Sequence, residues 1–193
     1  MTSVIDTDLV SRAAKRDRDA TAALLTEIRP GLVRYCRARL GRIGGAYTTA
    51  DDVAQEVCIA LLRALPTYRD MGRPFSAFVY GIAAHKVADA QRAAMRGSAV
   101  TPVEEIDDEP DTDPGPEQLA ENTDLARRLS ELLGRLPETH REIVLLRVAV
   151  GLSADEVGAV VGMSAAAVRV AQSRALARLR TLAGDSLGEV SAA

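Results

Sequence analysis

The chain has 193 residues, 47% hydrophobic and 26% charged, with a formal net charge of −3, which suits one ordinary domain or two small ones around a buried core. Trp is absent and aromatic residues make up only 3%, so the core is built from Leu, Val, Ile and Ala, and the weight of helix formers points to an all-α protein. No apolar stretch approaches the ~20 residues that span a bilayer, and the opening MTSVIDTDLV lacks the segments of a signal peptide, so no membrane insertion is expected and the cytoplasm is the expected location.

Taken in chain order, a first helix is predicted over about Asp8–Arg16 and a second over about Asp19–Leu40, ending at Gly41. Pro30 is expected to kink or interrupt the second, because proline lacks an N–H and crowds the preceding turn. Thr49-Ala-Asp-Asp52 is a capping-box pattern that starts a third helix, running to about Leu65 before Pro66. A loop over Pro66–Pro74 leads into a fourth, about Phe75–Arg96. Cys36 and Cys58 fall within apolar helical patterns, and two cysteines without further ligands do not make a zinc site. They read as reduced core thiols, with a redox switch as the alternative.

Residues 98–121 carry nine acids, no base and four prolines, Pro102, Pro110, Pro114 and Pro116. Such a segment buries too little apolar surface to offset chain entropy and reads as a flexible linker. It also accounts for the acidic total, because residues 1–97 hold 15 Lys/Arg against 10 Asp/Glu and residues 122–193 hold nine against eight. Beyond it, about Thr123–Leu136 places Leu125, Leu129, Leu132, Leu133 and Leu136 at helical spacing. Pro137 begins a helix to about Val150, and Gly151 ends it. Ser153-Ala-Asp-Glu156 is a second capping box, Gly162-Met-Ser164 is a tight turn with Ser164 as N-cap, and a last helix runs to about Ala183. The expected fold is all-α, with a four-helix domain (1–97), an acidic linker (98–121) and a C-terminal helix–turn–helix domain (122–193).

Three constellations carry chemistry. In the last helix, Val168, Ala171, Ala175, Leu179 and Leu182 share one arc and should pack inward. Ala166, Arg169, Val170, Ser173 and Arg180 face away. Arg169 sits in the N-terminal half, where a recognition helix reaches base edges, while Arg174, Arg178 and Arg180 suit phosphate contact or a solvated helix end. In the third helix, Val53, Val57, Ala60, Leu61 and Ala64 fill the core side. Asp52, Gln55, Glu56, Ile59 and Arg63 form a second arc, either an ordinary solvated face or a docking patch for a basic partner. The fourth helix interleaves aromatic and basic groups. Phe75, Phe78, Val79 and Ile82 suit the core, whereas Tyr68, Arg69, Arg73, His85, Lys86 and Arg92 suit stacking on unpaired bases and holding phosphates.

These residues carry a family resemblance. Asp52-Val-Ala-Gln-Glu56 resembles the hallmark of the second conserved region of sigma-70 family factors, and Phe75-Ser-Ala-Phe-Val-Tyr-Gly-Ile-Ala83 is similar to the segment that follows it. Leu136-Pro-Glu-Thr-His-Arg-Glu142, Gly151-Leu-Ser153 and Ser164 through Leu179 resemble the fourth conserved region in order and spacing. Two regions on a short connector resemble the extracytoplasmic-function branch. The resemblance implies a specificity subunit of RNA polymerase that directs the core enzyme to promoters and initiates transcription. It implies that Asp52, Gln55, Glu56, Ile59 and Arg63 dock on the clamp coiled coil of the largest subunit, with the C-terminal domain at the flap. It further implies that Tyr68, Arg69, Arg73, His85, Lys86 and Arg92 capture the opened −10 strand, and that Ala166, Arg169, Val170, Ser173 and Arg174 read the −35 duplex. An anti-sigma partner is implied as well. The sequence departs from the family pattern at Phe78, where the family has Trp, at His85, where Asn is common, and at Ala171, where many members carry Arg, which implies fewer duplex contacts.

The same residues bear on two other functional classes. A stand-alone helix–turn–helix regulator usually dimerises to match two half-sites, yet no dimer helix follows and the Asp52–Glu56 face would have no role. An enzyme is not expected. His85 and His140 stand apart from metal or triad spacing, no glycine-rich phosphate loop is present, and no cofactor or metal is predicted.

Overall fold

The computed structural model describes residues 5–40, 49–97, 125 and 127–190, which are helical with connecting turns and contain no strand. Helix α1 spans Thr7–Ala14, capped by the Asp6 carboxylate, which accepts from the Asp8 N–H at 2.9 Å. It stops short of the predicted Arg16 because that residue turns left-handed, at φ 67°. Asp17 restarts the chain by accepting from the Asp19 and Ala20 N–H groups and from the Arg12 guanidinium, and these bonds hold its carboxyl below the ordinary carboxylate range.

Helix α2 spans Arg18–Leu40 without interruption, so of the two outcomes expected at Pro30, a kink or a break, the break does not occur. Pro30 lies on the exposed face, where water can satisfy the carbonyl that loses its partner one turn back. The predicted stop at Gly41 lies outside the described residues, as does the 98–121 linker. Helix α3, Ala50–Ala64, has the predicted capping box in full: the Thr49 hydroxyl accepts from the Asp52 N–H at 3.1 Å, and the Asp52 carboxylate accepts from the Thr49 N–H at 2.9 Å. A 3₁₀ turn over Leu65–Thr67 leads to the loop before α4, Phe75–Gly97.

In the C-terminal half, α5 runs through 127–134. Its apolar stripe is only partly used: Leu133 and Leu136 are buried, while Leu125 and Leu129 are exposed. Helix α6, Glu138–Val144, continues as a π-helical stretch over Leu145–Val150 and ends at Gly151, whose φ of 91° only glycine adopts readily. Helix α7, Ala154–Val161, opens on the second capping box, between Ser153 and Glu156. Helix α8, Ala165–Val190, runs past the predicted end at Ala183, since Gly184 costs helix stability without forbidding the conformation.

One apolar core threads both halves of the chain. Leu24, Leu32, Tyr35 and Cys36 of α2, Val57 and Leu61 of α3 and Val79 and Val87 of α4 belong to the same buried cluster as Ile143, Leu146, Val157 and Val168. Polar bonds stitch the seam along α2. The Arg34 Nε–H donates to the Ala149 carbonyl at 2.9 Å, and the Tyr35 hydroxyl donates to Glu142 at 2.7 Å. Arg39 lies 2.5 Å from Glu138 and 3.5 Å from Glu142. Both cysteines are free, Cys36 buried and Cys58 half-buried.

Candidate functional site

The outer arc of α3 forms as the periodicity predicts. Val53, Val57 and Leu61 are buried, and Asp52, Gln55, Glu56, Ile59 and Arg63 are all exposed. Ile59 remains 41% exposed among these charged and amide groups, an apolar spot that folding of the described residues leaves uncovered. The capping box fixes the start of this helix and so the direction in which the arc points. Lys86 of α4 reaches across to Glu56 at 3.1 Å, so one residue assigned to partner docking and one assigned to DNA meet at a shared border. Their sequence separation of 30 left no periodic signal for that contact.

The loop and α4 divide their aromatic and basic residues differently from the simple alternation in the sequence. Tyr68 is half-buried, and its ring stands edge-on to Phe75 at 5.2 Å and tilted over Phe78 at 4.9 Å. It therefore belongs to a three-ring cluster rather than standing free. Phe75 and Val79 are buried as expected, and Tyr80 is buried too, edge-on to Tyr35 at 5.4 Å. Arg69, His85 and Arg92 are exposed, with Arg92 paired to Asp89 at 2.5 Å. Gly72 takes φ 72° and its N–H donates to the Asp70 carboxylate, which turns the loop. Arg73 then donates to the Ala159 carbonyl near the end of α7. That bond is a helix C-terminal cap supplied from the other half of the chain.

Helices α7 and α8 form the helix–turn–helix. Gly162 closes α7 at φ 75°, and the Ser164 hydroxyl accepts from the Ala167 N–H to cap α8. Val168, Ala171, Ala175 and Leu182 are buried and Leu179 half-buried, while Ala166, Arg169, Val170, Ser173, Arg174 and Arg180 are exposed. The predicted reading face is therefore outward in every member. Ala171, at 6% exposure, packs in the core. A brace that the sequence did not signal comes from Arg147. Its Nε–H donates to Gln172 at 3.0 Å, and its guanidinium also donates to the Leu152 carbonyl, tying α8 to the turn before α7.

Among the described residues no cluster of His, Cys, Asp or Glu could hold a metal ion, and no helix is long and apolar enough to cross a membrane. The residues instead form two outward faces suited to macromolecules. Sigma-70 region 2 matches residues 24–97 and sigma-70 region 4 matches residues 126–179. Over 178 residues the chain is 54% identical to the ECF RNA polymerase sigma factor ShbA of Streptomyces griseus, covering 91% of this chain and 93% of the relative. Over 180 residues it is 55% identical to the ECF RNA polymerase sigma factor SigD of Mycobacterium tuberculosis, covering 92% and 84%. Among solved structures, CnrH in complex with the cytosolic domain of CnrY matches with a TM-score of 0.66 at 27% identity, over 92% of this chain and 96% of that one. With both regions present in order and close relatives along most of its length, the chain belongs to the sigma-70 family, in the extracytoplasmic-function branch.

Proposed function

We propose a division of labour between the halves of this sigma factor, with residues 1–97 gripping polymerase and the opened strand, residues 122–193 reading upstream duplex, and 98–121 connecting them. As a member of its family the chain directs core RNA polymerase to promoters and starts transcription there. The outer arc of α3, Asp52, Gln55, Glu56, Ile59 and Arg63, is the surface for the clamp coiled coil of the largest subunit. Its mix of carboxylates around an exposed isoleucine supports that role, since acidic and apolar groups complement a basic amphipathic partner.

The loop residues Tyr68, Arg69 and Arg73, with His85, Lys86 and Arg92, hold the −10 strand. A base leaving the stack costs a few kcal/mol, which ring and cation contacts can offset. On α8, Arg169 is placed to hydrogen-bond base edges in the −35 major groove, with Ala166, Val170 and Ser173 beside it and Arg174 at the phosphates. The same half meets the polymerase flap. The protein acts in the cytoplasm and performs no catalysis of its own. An anti-sigma partner belongs to this reading, since the similar CnrH was solved with the cytosolic domain of CnrY.

The observation that carries the reading is the presence of both sigma-70 regions, in order, on one chain. Run-off transcription with purified core polymerase, with and without the chain, tests it. New initiation from a cognate promoter is expected. Tight duplex binding by the isolated chain without polymerase, together with no new transcript, would instead favour a stand-alone regulator.

A further inference from the structure

We propose that the cavity where α2, the first turns of α4 and the chain around Val150 meet is a small-molecule site, and that its ligand is a neutral, largely apolar compound with a carbonyl acceptor. None of its wall residues is among those assigned above to polymerase or DNA, so the site stands or falls apart from the promoter reading.

Shape is the first argument. The cavity measures about 530 Å³, and ligand pockets measure about 300–1,000 Å³. Ile28, Val79, Val150 and Leu152 are buried in its wall, which makes the lining largely apolar. Gly31 makes the room. A Cβ at this position would stand 2.6 Å from the Tyr80 hydroxyl and 3.6 Å from Val150 Cγ1. Glycine weakens the interior of a helix, and here its missing side chain lets the phenol of α4 lie against the backbone of α2.

An unpaired hydroxyl is the second argument. Ser76 stands in the cavity wall at 2% exposure, and its Oγ has no hydrogen-bond partner among the described residues. A buried hydroxyl without a partner costs stability. Ser76 is also the second residue of α4, where backbone N–H groups have no acceptor one turn back. Four residues on, Tyr80 is buried in the same wall. Burial raises its phenol, with Arg34 opposing and Cys36 and Glu156 adding to the effect, so this hydroxyl keeps its proton and can donate it.

Charge is the third argument, and it selects the head group. Arg34 gives the wall a cation, held by its Nε–H on the Ala149 carbonyl at 2.9 Å. Glu27 and Glu156 give it two carboxylates, the second tied to the Ser153 N–H at 2.8 Å. A carboxylate ligand would face both acids. An ammonium would sit beside the guanidinium and the positive end of the α4 dipole. A carbonyl meets neither penalty. It accepts from Ser76 and Tyr80, while the apolar body behind it replaces water on the valine and leucine walls.

The test titrates the full chain with hexanamide, hexanoate and hexylamine, which share a linear apolar body on neutral, anionic and cationic heads. At millimolar hexanamide, amide signals around Gly31, Ser76, Tyr80 and Val150 should shift in NMR spectra, with Overhauser contacts from the probe to the Val79 and Val150 methyls. Hexanamide should bind about tenfold more tightly than either charged probe, because a charge taken into an apolar cavity is costly. Ser76→Ala should raise the Tm of the free chain, since an unpaired buried hydroxyl is gone, and should weaken hexanamide about three- to tenfold, since a partner of the carbonyl is gone. Absence of binding, or shifts confined to other surfaces, overturns the proposal. So do Overhauser contacts to those methyls from another segment of the chain, because the fold then fills the cavity itself. A charged probe that binds as tightly as hexanamide overturns the choice of ligand, and Ser76→Ala binding hexanamide like the wild type overturns the role of the hydroxyl. Should Ser76→Ala lose helicity, the wild-type shifts and contacts decide alone.

Discussion

Gly158 is the position where one methyl group should do most harm to the helix–turn–helix. It lies buried in α7, and its carbonyl accepts from both the Gly162 N–H at 2.9 Å and the Met163 N–H at 3.0 Å. The chain therefore folds back tightly over it. A Cβ at this position would stand 2.5 Å from the Met163 carbonyl oxygen and 3.6 Å from the Ala165 nitrogen. The first contact is with backbone pinned between a left-handed glycine and the cap of α8, so it cannot yield as a flexible side chain would. Replacing glycine with alanine inside a helix gains about 1 kcal/mol from propensity, whereas overpacking a fixed site costs about 1–3 kcal/mol. Here relief requires moving the turn itself, which places the cost at the upper end. Gly158→Ala should lose about 1–2 kcal/mol net, a fall in Tm of roughly 2–8 °C for a chain of this size. Gly81→Ala is the matched control: it lies inside α4 with nothing within 4 Å of the added methyl, and should gain about 0.5–1 kcal/mol. Thermal unfolding followed by far-UV circular dichroism should show shifts of opposite sign. A Gly158→Ala chain that melts higher, as Gly81→Ala does, would refute the reasoning, because it would mean that the turn relaxes freely.

Glu56→Lys should abolish co-purification with core polymerase while changing stability by no more than about 0.5 kcal/mol, since its pair with Lys86 is exposed; retained binding would remove Glu56 from the docking face. Arg169→Ala should weaken promoter use by about 1–3 kcal/mol if the guanidinium is bidentate to a base, with unchanged transcript levels at a cognate promoter counting against that contact. Burial pushes the Cys36 thiol up to about 12 and raises half-buried Cys58 as well, so alkylation of the native chain at mildly alkaline pH should label Cys58 first by mass spectrometry; equal rates would mean that α2 does not protect Cys36. Burial also raises the Glu142 carboxyl, outweighing the opposing effects of Tyr35 and Arg39, with Glu138 and Arg141 nearby. The folded chain then holds this proton more tightly than the unfolded one, so Glu142's contribution is fullest below the ordinary carboxyl value and is lost as pH rises through the raised one. Glu142→Gln should flatten that part of the stability–pH curve, and an unaltered slope would assign it to other groups.

Local rules carried the sequence reading furthest where the partners lie within one turn. Both capping boxes, at Thr49 and Ser153, formed with reciprocal bonds, because a side chain three residues from an orphan N–H has little choice of geometry. Gly151 and Gly162 adopted the left-handed conformation that ends a helix. The 3.6-residue period put the polar arcs of α3 and α8 outward and most of the apolar arcs inward, with Ala60, Ala64 and Leu179 only half-buried and Ala54 buried without being signalled. Pro30 did not interrupt α2, because the effect of a proline depends on which face it occupies, and exposure decides whether a lost hydrogen bond is replaced by water. Tyr68 differed for a related reason: loop membership says nothing of the two phenylalanine rings that fold back beneath it.

The candidate site shows the same divide, most clearly at Arg39. In the last turn of α2, helix logic assigns such a cation to the α2 carbonyl ends, a partial charge of about half a unit. Glu138 and Glu142 are four residues apart on one face of α6, where two carboxylates repel unless a cation comes between them. Each offers a full charge, and both are within 3.5 Å of Arg39. Two full charges in a partly dry seam outcompete half a charge at a wet helix end. Arg39 therefore reaches Glu138, 99 positions away, and Glu142 beyond it, a pairing no window along α2 contains. The seven residues Leu136 through Glu142 thus name the family by their order, while their charges hold the two halves together. The first property is written along the chain, and the second exists only once α2 and α6 meet.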